Sequence, residues 1–256
     1  MKKYFVTTII ALLAISAASA QEYKVNKSSG KLVISLPSVV VEGYSGNAIV
    51  FSSLHKIEQV DERAKGLQLI SGTGFTDNTG LGISVEDKAN TIEVNQVASR
   101  DEAIKILVPK GVKVSYAYNK VFNAGKVVFT NVESEIEVSV SYNQVKLENI
   151  TGPVTVNAIY GAVDAVFKGV VQGPVSIVSI YSTVDVAIPV ATKANLKLNS
   201  THGDIFASSE FKVDMEKTTS DDMVQYGGNV KGKLNGGGTD FTLKTEYGKI
   251  YLRKAN

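Results

Sequence analysis

The residues able to do chemistry are few. Histidine occurs only as His55 and His202, cysteine and tryptophan are absent, and the arginines are Arg63, Arg100 and Arg253. Without a thiol there is no disulfide, no thiolate metal site and no cysteine nucleophile. His202 stands between Ser200 and Asp204, the residue types of a Ser-His-Asp triad. Neighbours along a strand alternate faces, however, and the chain has no Gly-x-Ser-x-Gly turn to lift a serine into reach. His202 therefore reads as structural. Asp221-Asp222 is the one adjacent aspartate pair. Clustered carboxylates can hold Ca²⁺ or act as acid and base on a sugar, but beside Thr218, Thr219 and Ser220 this pair reads as a solvated loop. Asp164 and Asp185 recur at one outward phase, where like charges repel unless basic side chains or a cation compensate. Ser71-Gly-Thr-Gly74 and Gly80-Leu-Gly82 lack the lysine of a phosphate loop and read as turns, and His55 reads as a surface residue. No catalytic residue, metal site or cofactor is expected.

What must position these groups is a recurring frame: an aromatic, two turn-forming residues, then Val or Ile. It appears at Tyr118, Tyr142, Tyr160, Tyr181 and Tyr247, with His202 in the aromatic slot of a further copy. Tyr226-Gly-Gly-Asn is a degenerate copy. The anchors from Tyr118 to His202 lie 24, 18, 21 and 21 residues apart. Six, four and two residues before each anchor the chain is mostly apolar, as in Val154, Val156 and Ala158, or Val175, Ile177 and Ser179. Three and five residues after it the chain is apolar again. Period-two alternation means a strand with one buried face. The step of three across the anchor means a corner there, where Gly and Asn tolerate left-handed backbone angles. Such units cannot close a core singly but can when stacked. The expectation is an all-β fold, a right-handed β-solenoid with rungs of about 21 residues over 112–256. Its aromatic slots would form a ladder in chain order: Tyr118, Tyr142, Tyr160, Tyr181, His202, Tyr247.

Residues 21–111 are strand-rich and less regular, and with no linker after them they read as an irregular cap on one continuous body. Leu32–Leu36 and Val39–Val41 are strands divided by Pro37, and Ile83–Val94 forms a hairpin or bend around Asp87-Lys-Ala-Asn90. Residues 58–65 are the one helical candidate. Residues 1–20 form a secretory signal peptide: Lys2 and Lys3, an apolar run, then Ala-rich small residues ending at Ala20. The run is too short for a transmembrane span. Removing Lys2 and Lys3 leaves 25 basic and 25 acidic residues. A neutral chain gives no support to nucleic-acid binding. Arg253 and Lys254 read as charges shielding the edge of the last rung.

The segment Gly236–Lys254, GGGTDFTLKTEYGKIYLRK, resembles the C-terminal signature of the DUF4097 adhesin family of exported proteins from Bacteroidetes-type bacteria. Glu62-Arg-Ala-Lys-Gly-Leu67, Asp77-Asn-Thr-Gly80 and Ile104–Gly111 resemble it as well. The resemblance implies a β-solenoid-like fold and an adhesin role, and brings no catalytic or binding residues.

The sequence therefore points to an exported, non-enzymatic solenoid in the periplasm, on the cell surface or outside the cell. It would bind a surface glycan or protein through its outer ladders. A carbohydrate-active enzyme on the same scaffold and a purely structural envelope protein are the alternatives.

Overall fold

The computed structural model describes residues 22–54, 62–99, 103–216 and 227–255. The leader, His55, Arg100, the Asp221-Asp222 pair and Tyr226 lie outside them. The fold is all-β. The first strands are β1 (Glu22–Val25), β2 (Ser29–Ser35), β3 (Val39–Tyr44), β4 (Ile49–Ser53), β5 (Ile83–Lys88), β6 (Thr91–Gln96) and β7 (Ile104–Pro109). The middle strands are β8 (Gly111–Tyr118), β9 (Lys126–Thr130), β10 (Ile136–Val140), β11 (Gln144–Ile150), β12 (Val154–Ala158), β13 (Val163–Phe167) and β14 (Val175–Ser179). The last are β15 (Val184–Ile188), β16 (Ala194–Ser200), β17 (Ile205–Ala207), β18 (Val213–Met215), β19 (Gly228–Leu234), β20 (Thr239–Thr245) and β21 (Ile250–Lys254). Of the helical candidate, only a short 3-10 turn at Glu62–Ala64 falls within the described residues.

Two large sheets hold these strands. One runs β1-β4-β7-β3-β9-β11-β13-β15-β21-β17, the other β18-β19-β16-β20-β14-β12-β10-β8-β2-β6-β5. From β8 to β15 the chain alternates between the sheets, and each strand pairs in parallel with the strand two places on. Hydrophobic alternation dictates which face turns inward. Val138, Val156, Ile177, Leu243 and Leu198 form one row of in-register, buried side chains across five strands. Val145, Val163, Val184 and Ile250 form the matching row on the other sheet, all fully buried. Both rows belong to one continuous hydrophobic core. The strands β1 to β7 share these sheets: β2 pairs with β8, and β3 with β9. Tyr116 ties the two portions together, its buried hydroxyl donating to the Leu36 carbonyl at 2.6 Å.

Spatial order departs from chain order at both ends. The final pair, β20 and β21, is inserted between β14/β15 and β16/β17. Likewise β2 and β3 sit between β8/β9 and β6/β7. Antiparallel strands close the ends: β4 and β1 on one sheet, β5 and then β19 and β18 on the other. The strand that carries Arg253 and Lys254 has neighbours on both sides over Ile250–Leu252, but β17 ends opposite Leu252, so these two residues pair with β15 alone. Arg253 grips Asp185 with two contacts, of 2.8 and 2.7 Å, and Lys254 pairs with Glu210 at 2.8 Å.

Candidate functional site

The corners after β10, β12, β14, β20 and β16 of the second sheet carry the aromatic slot. Tyr142, Tyr160, Tyr181, Tyr247 and His202 stack there face to face, in that order. Successive centroids are 5.0, 5.0, 5.2 and 4.9 Å apart, with planes within 14° of parallel. The spacing is set by the sheet, whose neighbouring strands lie about 4.8 Å apart. The order follows from the inserted final rung, so Tyr247 separates Tyr181 from His202. The tyrosines are between 42% and 55% exposed. Internal rings spend both faces on each other and turn their edges and hydroxyls to solvent.

Tyr118 is not in this row. Its backbone is in register with Val140, not Tyr142, so it points inward. It is 5% exposed, and its hydroxyl donates to the Phe122 carbonyl at 2.8 Å. The short frame around Tyr118 matches the pattern two residues out of phase: β8 and β10 end in register, with Tyr118 opposite Val140. Lys120 occupies the register of the aromatic slot.

A hydroxyl ladder holds each corner on the previous one. Ser179 Oγ donates to the Gly161 carbonyl, Thr245 Oγ1 to the Ser182 carbonyl and Ser200 Oγ to the Gly248 carbonyl, each at 2.9 Å. Each donor stands two residues before an aromatic; each acceptor follows the aromatic of the preceding rung in space. Sequence reasoning placed these residues inward without seeing their role; a hydroxyl recurring in an otherwise apolar slot was the available signal. The glycines after the aromatic serve close approach, not a left-handed backbone as expected. A Cβ on Gly161 would lie 1.8 Å from the Asn143 carbonyl oxygen, and one on Gly248 2.0 Å from that of Ser182.

Ser200 is therefore a buried corner donor, His202 a member of the stack, and Asp204 an exposed carboxylate 3.8 Å from Lys249. On the adjacent outer face Asp164 and Asp185 are direct neighbours. Burial, and secondarily the Asp185 charge, holds the Asp164 carboxyl above its ordinary value. The compensating cation is Arg253, brought alongside by the inserted strand. Among the described residues no group of three or more His, Cys, Asp or Glu side chains is placed to hold a metal ion. Among the same residues no helix is long and apolar enough to cross a membrane.

Beside the aromatic row, the nearer outward row of the second sheet is Ser139, Asn157, Val178, Lys244 and Asn199, and the next is Glu137, Thr155, Ser176, Thr242 and Lys197. The arrangement defines an all-β protein of two large sheets with a solvent-facing aromatic row flanked by hydrogen-bonding side chains. No family model matches the chain, and no curated protein matches it. It is similar to two solved structures. A Clostridium sporogenes protein described as a "putative cell adhesion protein" is 12% identical, with 92% of this chain and 100% of that one covered and a TM-score of 0.48. A Bacteroides fragilis "putative adhesin" is also 12% identical, with 92% and 98% covered and a TM-score of 0.25. Similarity at this level carries no inference about ligand or activity, since one fold hosts many functions.

Proposed function

We propose that this chain is an exported, right-handed β-solenoid that binds surfaces as an adhesin or envelope-associated protein and catalyses no reaction. Alternation of β8 to β15 between two sheets, with parallel pairing in each, supports the solenoid reading, and right-handed crossover is the rule for such connections. The observation that carries the binding reading is the exposed stack of Tyr142, Tyr160, Tyr181, Tyr247 and His202. Contiguous exposed apolar surface rimmed by polar groups marks interaction sites. Rings locked by stacking lose little further freedom on binding, which favours their use as contacts. The flanking Ser, Thr and Asn side chains supply weak hydrogen bonds along the same line.

The test is binding of labelled protein, residues 21–256, to a glycan array and to immobilised matrix proteins. Binding to at least one class of surface is expected, with loss in a Tyr160→Ser/Tyr181→Ser variant that still folds. Silence on both arrays, or binding indifferent to that variant, refutes the reading.

A further inference from the structure

Tyrosine is the residue of this chain that gives up a single electron most readily. Tryptophan and cysteine, which would compete for a one-electron oxidant, are absent, while there are 11 tyrosines. These tyrosines are not equivalent. Tyr44, Tyr116 and Tyr118 donate their hydroxyls to the backbone carbonyls of Ala48, Leu36 and Phe122, and the last two are buried as well. Tyr23 and Tyr251 pack on phenylalanines, Phe51 and Phe206. Among the described residues, ring contact between two tyrosines occurs only in the corner row: Tyr142 with Tyr160, Tyr160 with Tyr181, and Tyr181 with Tyr247. All four are between 42% and 55% exposed, and no described residue hydrogen-bonds to their hydroxyls.

We propose that this row is a site of oxidative cross-linking, where tyrosines of neighbouring rungs couple to dityrosine under a haem peroxidase supplied with hydrogen peroxide. The assignment stands apart from the surface-binding reading, since it concerns the phenols and asks nothing of a ligand. The oxidant takes one electron from a phenol, and the hydroxyl proton passes to water, leaving a neutral phenoxyl radical. Its unpaired electron is shared between the oxygen and the ring carbons ortho and para to it. The para carbon carries the side chain, so Cε1 and Cε2 are the carbons able to bond. Two radicals form one Cε–Cε bond. Each bonded carbon then gives up its hydrogen as a proton while its oxygen regains one, which restores both aromatic rings and both hydroxyls. Two phenols have lost two electrons and two protons, and one hydrogen peroxide takes them up to become two waters.

The stack supplies what this coupling needs. Centroid spacings of 5.0, 5.0 and 5.2 Å keep each ring in contact with the next, so a radical formed on any of the four is exchanged along the row. Phenoxyls on separate molecules must wait to meet, whereas groups fixed at contact distance react at a very high effective concentration. The new bond is made edge to edge. Because the outer parts of the rings stand in solvent, two neighbours reach that arrangement by tipping outward about their side-chain torsions, while the sheet holds their backbones about 4.8 Å apart. A Tyr181–Tyr247 bond ties the inserted β20 rung to the corner of β14, and a Tyr142–Tyr160 bond ties the corners of β10 and β12. Each is a covalent staple between rungs in a chain with no cysteine to form one.

The test treats residues 21–256, at low micromolar concentration, with a haem peroxidase and hydrogen peroxide, followed by dityrosine fluorescence, denaturing gels and peptide mass spectrometry. The protein is expected to stay monomeric on the gel and to gain dityrosine emission. Mapped cross-links should join Tyr142 to Tyr160, Tyr160 to Tyr181 or Tyr181 to Tyr247, each lighter by two hydrogens. A Tyr160→Phe/Tyr247→Phe variant keeps the stacked rings but leaves no two phenols of the row adjacent. Its intramolecular yield should fall by at least about tenfold, with circular dichroism and melting unchanged, whereas Tyr23→Phe/Tyr251→Phe should match wild type. No dityrosine, dityrosine formed only between molecules, cross-links mapping outside the row, or a yield indifferent to Tyr160→Phe/Tyr247→Phe overturns the proposal.

Discussion

Truncating Leu243 to alanine probes the unusual rung order directly. Leu243 lies in β20 with no exposed surface, in register with Ile177 on one side and Leu198 on the other. Deleting a buried leucine side chain to Cβ costs about 2–5 kcal/mol, the spread reflecting how far the site collapses around the cavity. Here neighbours in both flanking strands are held by their own ladders, so collapse is restricted and the upper half of that range, about 3–5 kcal/mol, is expected. For a domain of this size each kcal/mol lowers Tm by roughly 2–4 °C, giving a drop of roughly 6–20 °C. Val213→Ala, in the outermost strand β18 and only half-buried, should cost less than about 1 kcal/mol. Urea unfolding followed by far-UV circular dichroism, with m-values compared to confirm two-state behaviour, measures both. In a solenoid stacked in chain order β20 would have a neighbour on one side only, and its leucine would behave like the β18 valine. A Leu243→Ala protein within about 1 kcal/mol of wild type therefore refutes the placement of β20 between β14 and β16.

Three further outcomes are expected. The absence of native cysteine makes disulfide mapping clean: Val178→Cys with Lys244→Cys, in register on adjacent strands, should cross-link. Val178→Cys with Asn199→Cys should not, because two strand spacings, about 9.6 Å, exceed disulfide reach; non-reducing gel mobility reads the result, and the reverse pattern would restore chain order. Asp164→Asn should raise Tm at neutral pH. The Asp164 pKa is above its ordinary value of 3.8, so the folded state holds the proton more tightly and ionisation subtracts stability as pH rises through that window; a variant that melts lower than wild type at pH 7 contradicts this. Gly248→Ala should cost about 1–3 kcal/mol because its Cβ meets a backbone carbonyl that cannot swing aside, whereas Gly72→Ala, with open space around it, should be close to neutral in the same melts.

Alternation made the inward face legible, because burial on one side of a strand leaves a period of two that no other element imitates. Val154, Val156 and Ala158 are buried for that reason, as are Val175 and Ile177. Rung order was not legible from that signal. Every rung offers its neighbours a nearly interchangeable row of apolar side chains, so Val175 of β14 accepts Phe241 of β20 as readily as it would Leu196 of β16. The information lay in the polar exceptions. Asp185 on β15 adds a second negative charge beside Asp164, and the only arginine after residue 100 is Arg253, on β21. Arg253, with Lys126 and Lys146, compensates those charges, so the pairing of β15 with β21 carries a polar signal that the apolar rows lack. Tyr118 failed for a different reason: two tyrosines, at 116 and 118, lie on one face of β8, and a four-residue frame cannot tell which turn of the alternation the corner follows.

Insertion of the last rung also bears on how the aromatic row comes to exist. Strands β16 and β17 do not pair with β14 or β15; they join the body through β20 and β21. The segment from β16 to β21 pairs largely within itself, β16 with both β19 and β20, and docks on the rest through Val175, Ile177 and Val184 against Phe241, Leu243 and Ile250. Until that docking is complete the row is broken, since Tyr181 and His202 are each stacked on Tyr247 and not on each other. Without Tyr247 the two rings would stand about 10 Å apart, beyond stacking distance. The longest continuous stretch of exposed ring is thus assembled only when Tyr247 is in place between Tyr181 and His202.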